Sequence, residues 1–329
     1  MKKIKLTLLF LFIICASCSA NHIKGGFFTY RYLGPGAVNP ANNRYEVVLT
    51  VYMECNPPPS SGQLSTLIYF SIFNNATNTL VKTESVSISN QYVIAKGLDE
   101  PCITGDQRIC YYTIVEYKLA SLELPPLPKG YTISYQRCCR IGGIVNINNS
   151  SSIGNTYSIS IPGTDIGQGA DKNNSAQFKI NDTIVVCGNN YFEYPFVAED
   201  ADNNTLQYSF CDAWIGGGPG MSQAEPNPAS APPYFTVPYF TGFSGSSPLG
   251  PGVTINPVTG LISGIAPLDE GEYVVTVCVN EIKNGVIIAT TRKELHIKIG
   301  DCSPIRAQLR PVYPTCDGFT RTFSNEVPP

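Results

Sequence analysis

Apolar residues in this chain recur at every second position in short runs, and clusters of Pro, Gly and Asn cut each run off before it lengthens. A period of two places successive side chains on opposite faces of an extended strand, whereas a helix needs apolar residues three and four apart. Helical spacing is hard to find after residue 20. The clearest run is Tyr45 to Cys55, where Tyr45, Val47, Leu49, Val51, Met53 and Cys55 share one face and Glu46, Thr50 and Glu54 lie on the other. Similar runs cover Phe27 to Tyr32, Leu67 to Phe73, Tyr111 to Lys118, Tyr131 to Arg137 and Tyr157 to Ile161. Many short strands separated by turn clusters imply an all-β sandwich.

A polar stretch, Gly167 to Asp182, separates these runs from a second set: Thr183 to Cys187, Tyr191 to Ala198, Leu206 to Cys211, Val253 to Asn256, Glu272 to Asn280 and Val286 to Ile299. The expected organisation is therefore two β-sandwich domains in tandem, over residues 21–182 and 183–300, with the polar stretch as a surface linker. Residues 301–329 read as the opening of a further β domain. Gly216 to Pro251 is too long for a simple connection, and such loops are usually functional or disordered. Its aromatics Tyr234, Phe235, Tyr239, Phe240 and Phe243 argue for a loop that packs on the sandwich and offers its surface to a partner.

Residues 1–20 have the form of a secretory signal peptide: Lys2, Lys3 and Lys5, then the apolar run Leu6 to Ile14, then the small residues Cys18-Ser19-Ala20. That run is about half of the roughly 20 residues a spanning helix requires, so no transmembrane segment is expected in the mature chain. Cys15-Ala16-Ser17-Cys18 carries the small residues of a lipobox, which gives lipid attachment at Cys18 as the alternative. The formal charge of −3 becomes −6 when the three lysines are removed, which recruits neither nucleic acid nor an anionic membrane. Of 12 cysteines ten lie beyond the leader, and an even number behind an export signal implies disulfides. Zinc would require paired Cys-x-x-Cys clusters or Cys/His sets, and His22 and His296 are the sole histidines.

Two sets of motifs carry a family resemblance. Ala198-Glu199-Asp200-Ala201-Asp202-Asn203-Asn204, then Val253 to Gly264, then Gly271-Glu272-Tyr273-Val274-Val275-Thr276-Val277 resemble the cadherin-like and immunoglobulin-like repeats of bacterial surface proteins over residues 184 to 300. Asn21 to Tyr30, Leu49 to Cys55 and Gly130 to Arg140, which contains Tyr135-Gln136-Arg137-Cys138-Cys139-Arg140, resemble the amino-terminal region of large Bacteroidetes surface proteins associated with gliding motility. Members of that family are often exported by the type IX secretion system. The resemblance implies tandem immunoglobulin-like sandwiches, secretion to the outer cell surface, and adhesion or attachment through a surface polysaccharide or protein partner. With a lipid on Cys18, a lipid-anchored surface glycan-binding protein is the runner-up.

In many such repeats the acidic turn binds calcium, so the resemblance implies calcium as the cofactor, with Asp200 and Asp202 as its ligands. The alternative is that these acids only shape an Asx turn. Cys211 and Cys278, on two apolar strands of the immunoglobulin-like region, are expected to bridge, and Cys102 and Cys110 flank a short turn that closes easily. Cys138 and Cys139, adjacent in a pleated strand, point to opposite faces and are not expected to bond to each other. Arg137 and Arg140 are expected to hold loops together, or alternatively to meet an acidic partner. A glycosidase would need two carboxylates across a cleft, but Asp99-Glu100 and Asp269-Glu270 are adjacent pairs in turns. A Ser-His-Asp triad would need His22, at the start of the mature chain, or His296, inside an alternating strand. A non-catalytic protein is expected.

Overall fold

The alternating runs fold as strands. A computed structural model describes residues 23–54, 65–95, 110–179, 185–218 and 224–300. The leader with Cys18, the expected Cys102 to Cys110 bond, Asp99-Glu100 and the segment 301–329 lie outside the described residues. The first unit contains β1 (Ile23–Pro35), β2 (Asn43–Glu54), β3 (Leu67–Asn74), β4 (Thr79–Ala95), β5 (Cys110–Leu124), β6 (Tyr131–Arg137) and β7 (Asn155–Ile161). The second contains β8 (Gln177–Phe178), β9 (Val185–Cys187), β10 (Tyr191–Pro195), β11 (Ala198–Glu199), β12 (Thr205–Phe210), β13 (Val253–Ile255), β14 (Leu261–Ile265), β15 (Gly271–Lys283) and β16 (Val286–Gly300).

Strand β4 turns the first unit into a sandwich. Its first half pairs with β3 and its second half with β5, with a register shift between Ile88 and Asn90. The ladder β1-β2-β5-β4-β3-β6-β7 therefore curls until β7 packs against β1. Tyr45, Val47, Leu49, Val51 and Met53 fill the interior, as their alternation implies, and meet Ile68, Phe70, Ile72, Ile133, Tyr135 and Ile159 from the opposite layer.

In the second unit β12, β15 and β16 form one layer, with β9 added parallel to β16, and β10-β14-β13 form the other. Tyr273, Val275, Val277 and Val279 of β15 and Leu295, Ile297 and Ile299 of β16 face Phe192, Tyr194 and Ile262 across this second core. The β15–β16 hairpin closes through Asn284-Gly285, both at positive φ, as a two-residue turn between Lys283 and Val286 requires. Cys211 and Cys278 are bonded across this layer with their Cα atoms 5.9 Å apart.

The two cores share one sheet. β1 pairs with β16 at Gly26 opposite Glu294 and Phe27 opposite Lys293, giving 11 strands in a continuous sheet. Gly25 and Gly26 make this crossing possible. Gly25 sits at φ 145°, and a Cβ there would lie 2.3 Å from the Glu294 carbonyl oxygen; one on Gly26 would lie 2.6 Å from the Thr50 carbonyl oxygen. No side chain fits between the strands at that point.

Of the stretch expected as a surface linker, the described residues 167–179 are in part buried. Asn173, Ser175 and Ala176 are sealed against β1 and β15, because Ser175 exchanges hydrogen bonds with the Tyr30 backbone and the Tyr32 N–H donates to Asn174 Oδ1 at 3.0 Å. Polarity in this stretch marks hydrogen bonding to neighbouring strands rather than exposure to water.

Candidate functional site at the junction

Strand β15 alternates through the junction. The positions between its core residues, Glu272, Val274, Thr276 and Cys278, face residues 140–147 and the long loop over 211–250. Glu294 and His296 of β16 lie on the same side. Arg140, fully buried, donates to both Glu294 carboxylate oxygens at 2.6 and 3.0 Å and to the Trp214 carbonyl at 3.1 Å. Lys24 donates to Glu272 Oε1, and the Glu272 Oε2 lies 2.8 Å from His296 Nδ1. Burial alone would raise the Glu272 carboxyl, but the hydrogen bond and attraction of His296, with the Lys24 ammonium, hold it down to about 2. Arg137 is tied in the same manner, 2.7 Å from Glu225 and 3.1 Å from Ser65. Both arginines of the Gln-Arg-Cys-Cys-Arg run therefore hold loops.

Cys138 and Cys139 are bonded to each other, contrary to the pleat argument. Strand β6 ends at Arg137, so the pair lies beyond the pleated region. A cis peptide joins the two residues, whose Cα atoms lie 3.0 Å apart. Cys187 is also disulfide-bonded.

The long loop behaves as a strap, packing on the sandwich as its aromatics imply. Ile215 accepts from Thr156 Oγ1 at 2.6 Å, Ala224 from the Cys138 N–H at 2.7 Å, and the Ala229 N–H donates to Ser71 Oγ at 2.9 Å. Val237 and Ala213 pack with Ile144, Ile147 and Val274 into a small core between the units. Asn146, with no exposed surface, fixes that core by donating to the Pro248 and Val274 carbonyls and accepting from the Val274 N–H. Phe243 stacks edge-on to Tyr273, and Tyr234 lies against Trp214, whose other neighbour is the Arg292 guanidinium 3.5 Å from the ring. Phe235 and Phe240 remain outside, 76% and 45% exposed.

At the far end of β15 the chemistry changes. Glu281 accepts from Asn173 Nδ2 at 2.5 Å, the Ala176 N–H at 2.9 Å and Thr291 Oγ1 at 3.4 Å. Burial pushes its carboxyl up to about 7, against the lowering by the Asn173 and Ala176 hydrogen bonds, and Asp200 and Asp202 push it further. Further along β16, opposite Val277, the Lys293 ammonium is enclosed by Phe27, Tyr52, Phe178 and Phe196, whose ring centres lie 5.3 to 5.7 Å away.

The expected calcium turn adjoins this end. The Asp202 N–H donates to Asp200 Oδ1 at 2.5 Å, an Asx turn. Asn204 Nδ2 donates to Asp200 Oδ2 at 3.0 Å, while Asn174 donates its backbone N–H and its side-chain amide to Asp202. Every carboxylate oxygen of the pair thus accepts from nitrogen, where calcium would want six to eight oxygen ligands. Among the described residues no group of three or more His, Cys, Asp or Glu side chains is placed to hold a metal. The donor set fits an Asx turn that clamps Asn174, and it does not fit a calcium cage.

Sequence reasoning missed Glu281, Lys293 and Glu294. The available signal was their position in strands that otherwise alternate with apolar residues, where a charge on the inward phase needs a buried partner. Among the described residues no helix is long and apolar enough to cross a membrane. No family model matches the chain, and no curated protein is similar to it.

Proposed function

We propose that this chain is a non-catalytic module of a secreted outer-surface protein, a stiff spacer that presents its loops to a surface polysaccharide or protein partner in attachment or gliding. The observation that carries this reading is the shared sheet: β1 bonded to β16, reinforced by the Arg140–Glu294 and Lys24–Glu272 ion pairs and by the strap. A hinge between the two units would have to break all of these together. Support for the non-catalytic part comes from His296, buried against Glu272. The strap supplies the contact surface through Phe235 and Phe240. Immobilised full chain should retain cells or envelope fragments, and a Phe235→Ser/Phe240→Ser variant should retain markedly fewer. Failure of the unaltered chain to retain either, or turnover of a glycan or peptide panel by it, would overturn the reading.

A further inference from the structure

The outer face of the first unit carries a groove that the strap does not reach. Registers across the sheet set its floor: Phe27, Thr50, Glu116 and Asn90 form one row over four strands, and Thr29, Val48 and Lys118 the next. Gln177 and Phe178 of β8 raise one wall, with Phe178 edge-on to Phe27 at 5.0 Å and to Phe196 at 5.5 Å. Phe27, Thr29, Val48, Thr50, Glu116 and Lys118 line a volume of about 280 Å³ open to solvent, with Ser89 on the side away from β8.

The lining restricts what can bind. β2 and β5 are paired on both sides, and the free edge of β1 is met by β16 at Gly26 and Phe27 and by Asn174 and Ser175 at Tyr30 and Tyr32, so these main-chain groups are already used and an added peptide strand cannot read them. Recognition must come from side chains. Glu116 and Lys118 balance each other, and Lys118 is further drawn to Glu46, 2.5 Å away, which also holds Arg31 at 3.3 Å. A groove without net charge has no preference for a phosphate, a nucleic acid or an acidic polymer. Its hydroxyls, amide and carboxylate instead alternate with an apolar floor of Phe27, Val48 and Phe178. That mixture suits a ligand with many hydroxyl groups on its edge and C–H groups on its faces.

We infer that this groove binds a neutral oligosaccharide segment, with the Glu116 carboxylate and the Gln177 amide oxygen, whose NH2 is held by Ser175, accepting from its hydroxyls and Phe178 packing against a ring face. The inference rests on the surface-contact reading and gives that contact a second site and a ligand class.

The full chain would be run through native gels containing hydroxyethylcellulose, mannan, laminarin or xylan, with alginate as the anionic comparison, and affinities would be measured by calorimetry with the matching oligosaccharides. At least one neutral polysaccharide should retard the chain. Glu116→Ala and Gln177→Ala should each weaken binding by about ten-fold without moving the unfolding midpoint, and Val258→Ser, at an exposed turn of the second unit, should leave binding unchanged. Glu116→Gln, which keeps the shape, checks that any loss is not misfolding. Retardation by alginate alone, no retardation, or binding that survives the Glu116→Ala/Gln177→Ala double variant would overturn the groove. If the groove fails while immobilised chain still retains cells through Phe235 and Phe240, the surface-contact reading stands; if retention fails as well, both fall.

Discussion

Glu272 and Glu281 sit at opposite ends of β15, the first partly and the second fully buried, and they are shifted in opposite directions. At the Glu272 end, β1 supplies Lys24 and β16 supplies His296, and the carboxyl is held at about 2. At the Glu281 end burial dominates; the donors are amides and a hydroxyl, with Asp200 and Asp202 nearby, and the carboxyl is pushed up to about 7. The same residue type on the same strand is a fixed charge at one end and a proton carrier at the other. Position in a strand decides that a carboxyl is buried, but its neighbours decide in which form.

Removing a partner from the charged end should have the largest effect. Arg140→Ala would leave Glu294 buried without its cation, a change that costs about 3–5 kcal/mol in buried pairs. Urea unfolding should show this as a lower midpoint, and a loss below about 1 kcal/mol would mean that the pair is not a lock. Glu272→Gln comes next. A carboxyl lowered from 4.5 to about 2 contributes stability that is fully present above pH 4.5 and is lost as pH falls towards 2. The linked term is about 3 kcal/mol. Unfolding midpoints measured across that window should fall steeply in the unaltered chain and more gently in Glu272→Gln.

Much of the fold was legible in the sequence, because alternation reports burial directly. The Tyr45 to Met53 face lines the first core, and Cys211 and Cys278 bond as their strands implied. Alternation does not report which strand lies beside which. The pairing of β1 with β16 joins residues nearly a chain length apart, and only the Gly25-Gly26 pair marked where a close crossing could occur. The pleat rule failed at Cys138-Cys139 because it was applied past the end of β6. At the junction the obstacle was different. Glu281 and Asp202 are met by backbone N–H groups of Ala176 and Asn174, and a backbone donor leaves no trace in residue type. Residue type alone thus leaves the acidic turn open between a calcium site and an Asx turn, and only the placement of the nitrogen donors around its oxygens favours the second.

The amide end should respond to pH with the opposite sign. A carboxyl raised from 4.5 to about 7 in the folded chain keeps its proton where the unfolded chain has lost it. The fold therefore gains stability as pH falls from about 7 towards 4.5, and carries the cost of a buried charge above 7. Tyr30 of β1, Asp200 and Asp202 of the adjoining turn, and Thr291 of β16 surround Glu281, and none supplies a cation. Glu281→Gln should flatten this part of the profile and raise stability above pH 7 by roughly 1–3 kcal/mol. The two carboxyls together place maximal junction stability near pH 4.5. Thermal midpoints that rise steadily with pH through this range would contradict the assignment of Glu281.

The smallest effect belongs to the acidic turn, and it separates the clamp from a calcium site. Asp202 is exposed, and the N–H groups of Asn174 that it accepts can turn to water when it is removed. Asp202→Ala should therefore cost less than about 1 kcal/mol. Calcium should not change the midpoint of either chain relative to chelator, since each oxygen of the pair already faces a nitrogen donor. A ligand that binds the folded state raises stability by its own occupancy, so a calcium-dependent rise that vanishes in Asp202→Ala would require Asn174 and Asn204 to swing aside. In that event Asp200 and Asp202 would also stop opposing the charge on Glu281. Calcium would then lower the pH at which the amide end takes up its proton, and the contrast between the two ends of β15 would narrow.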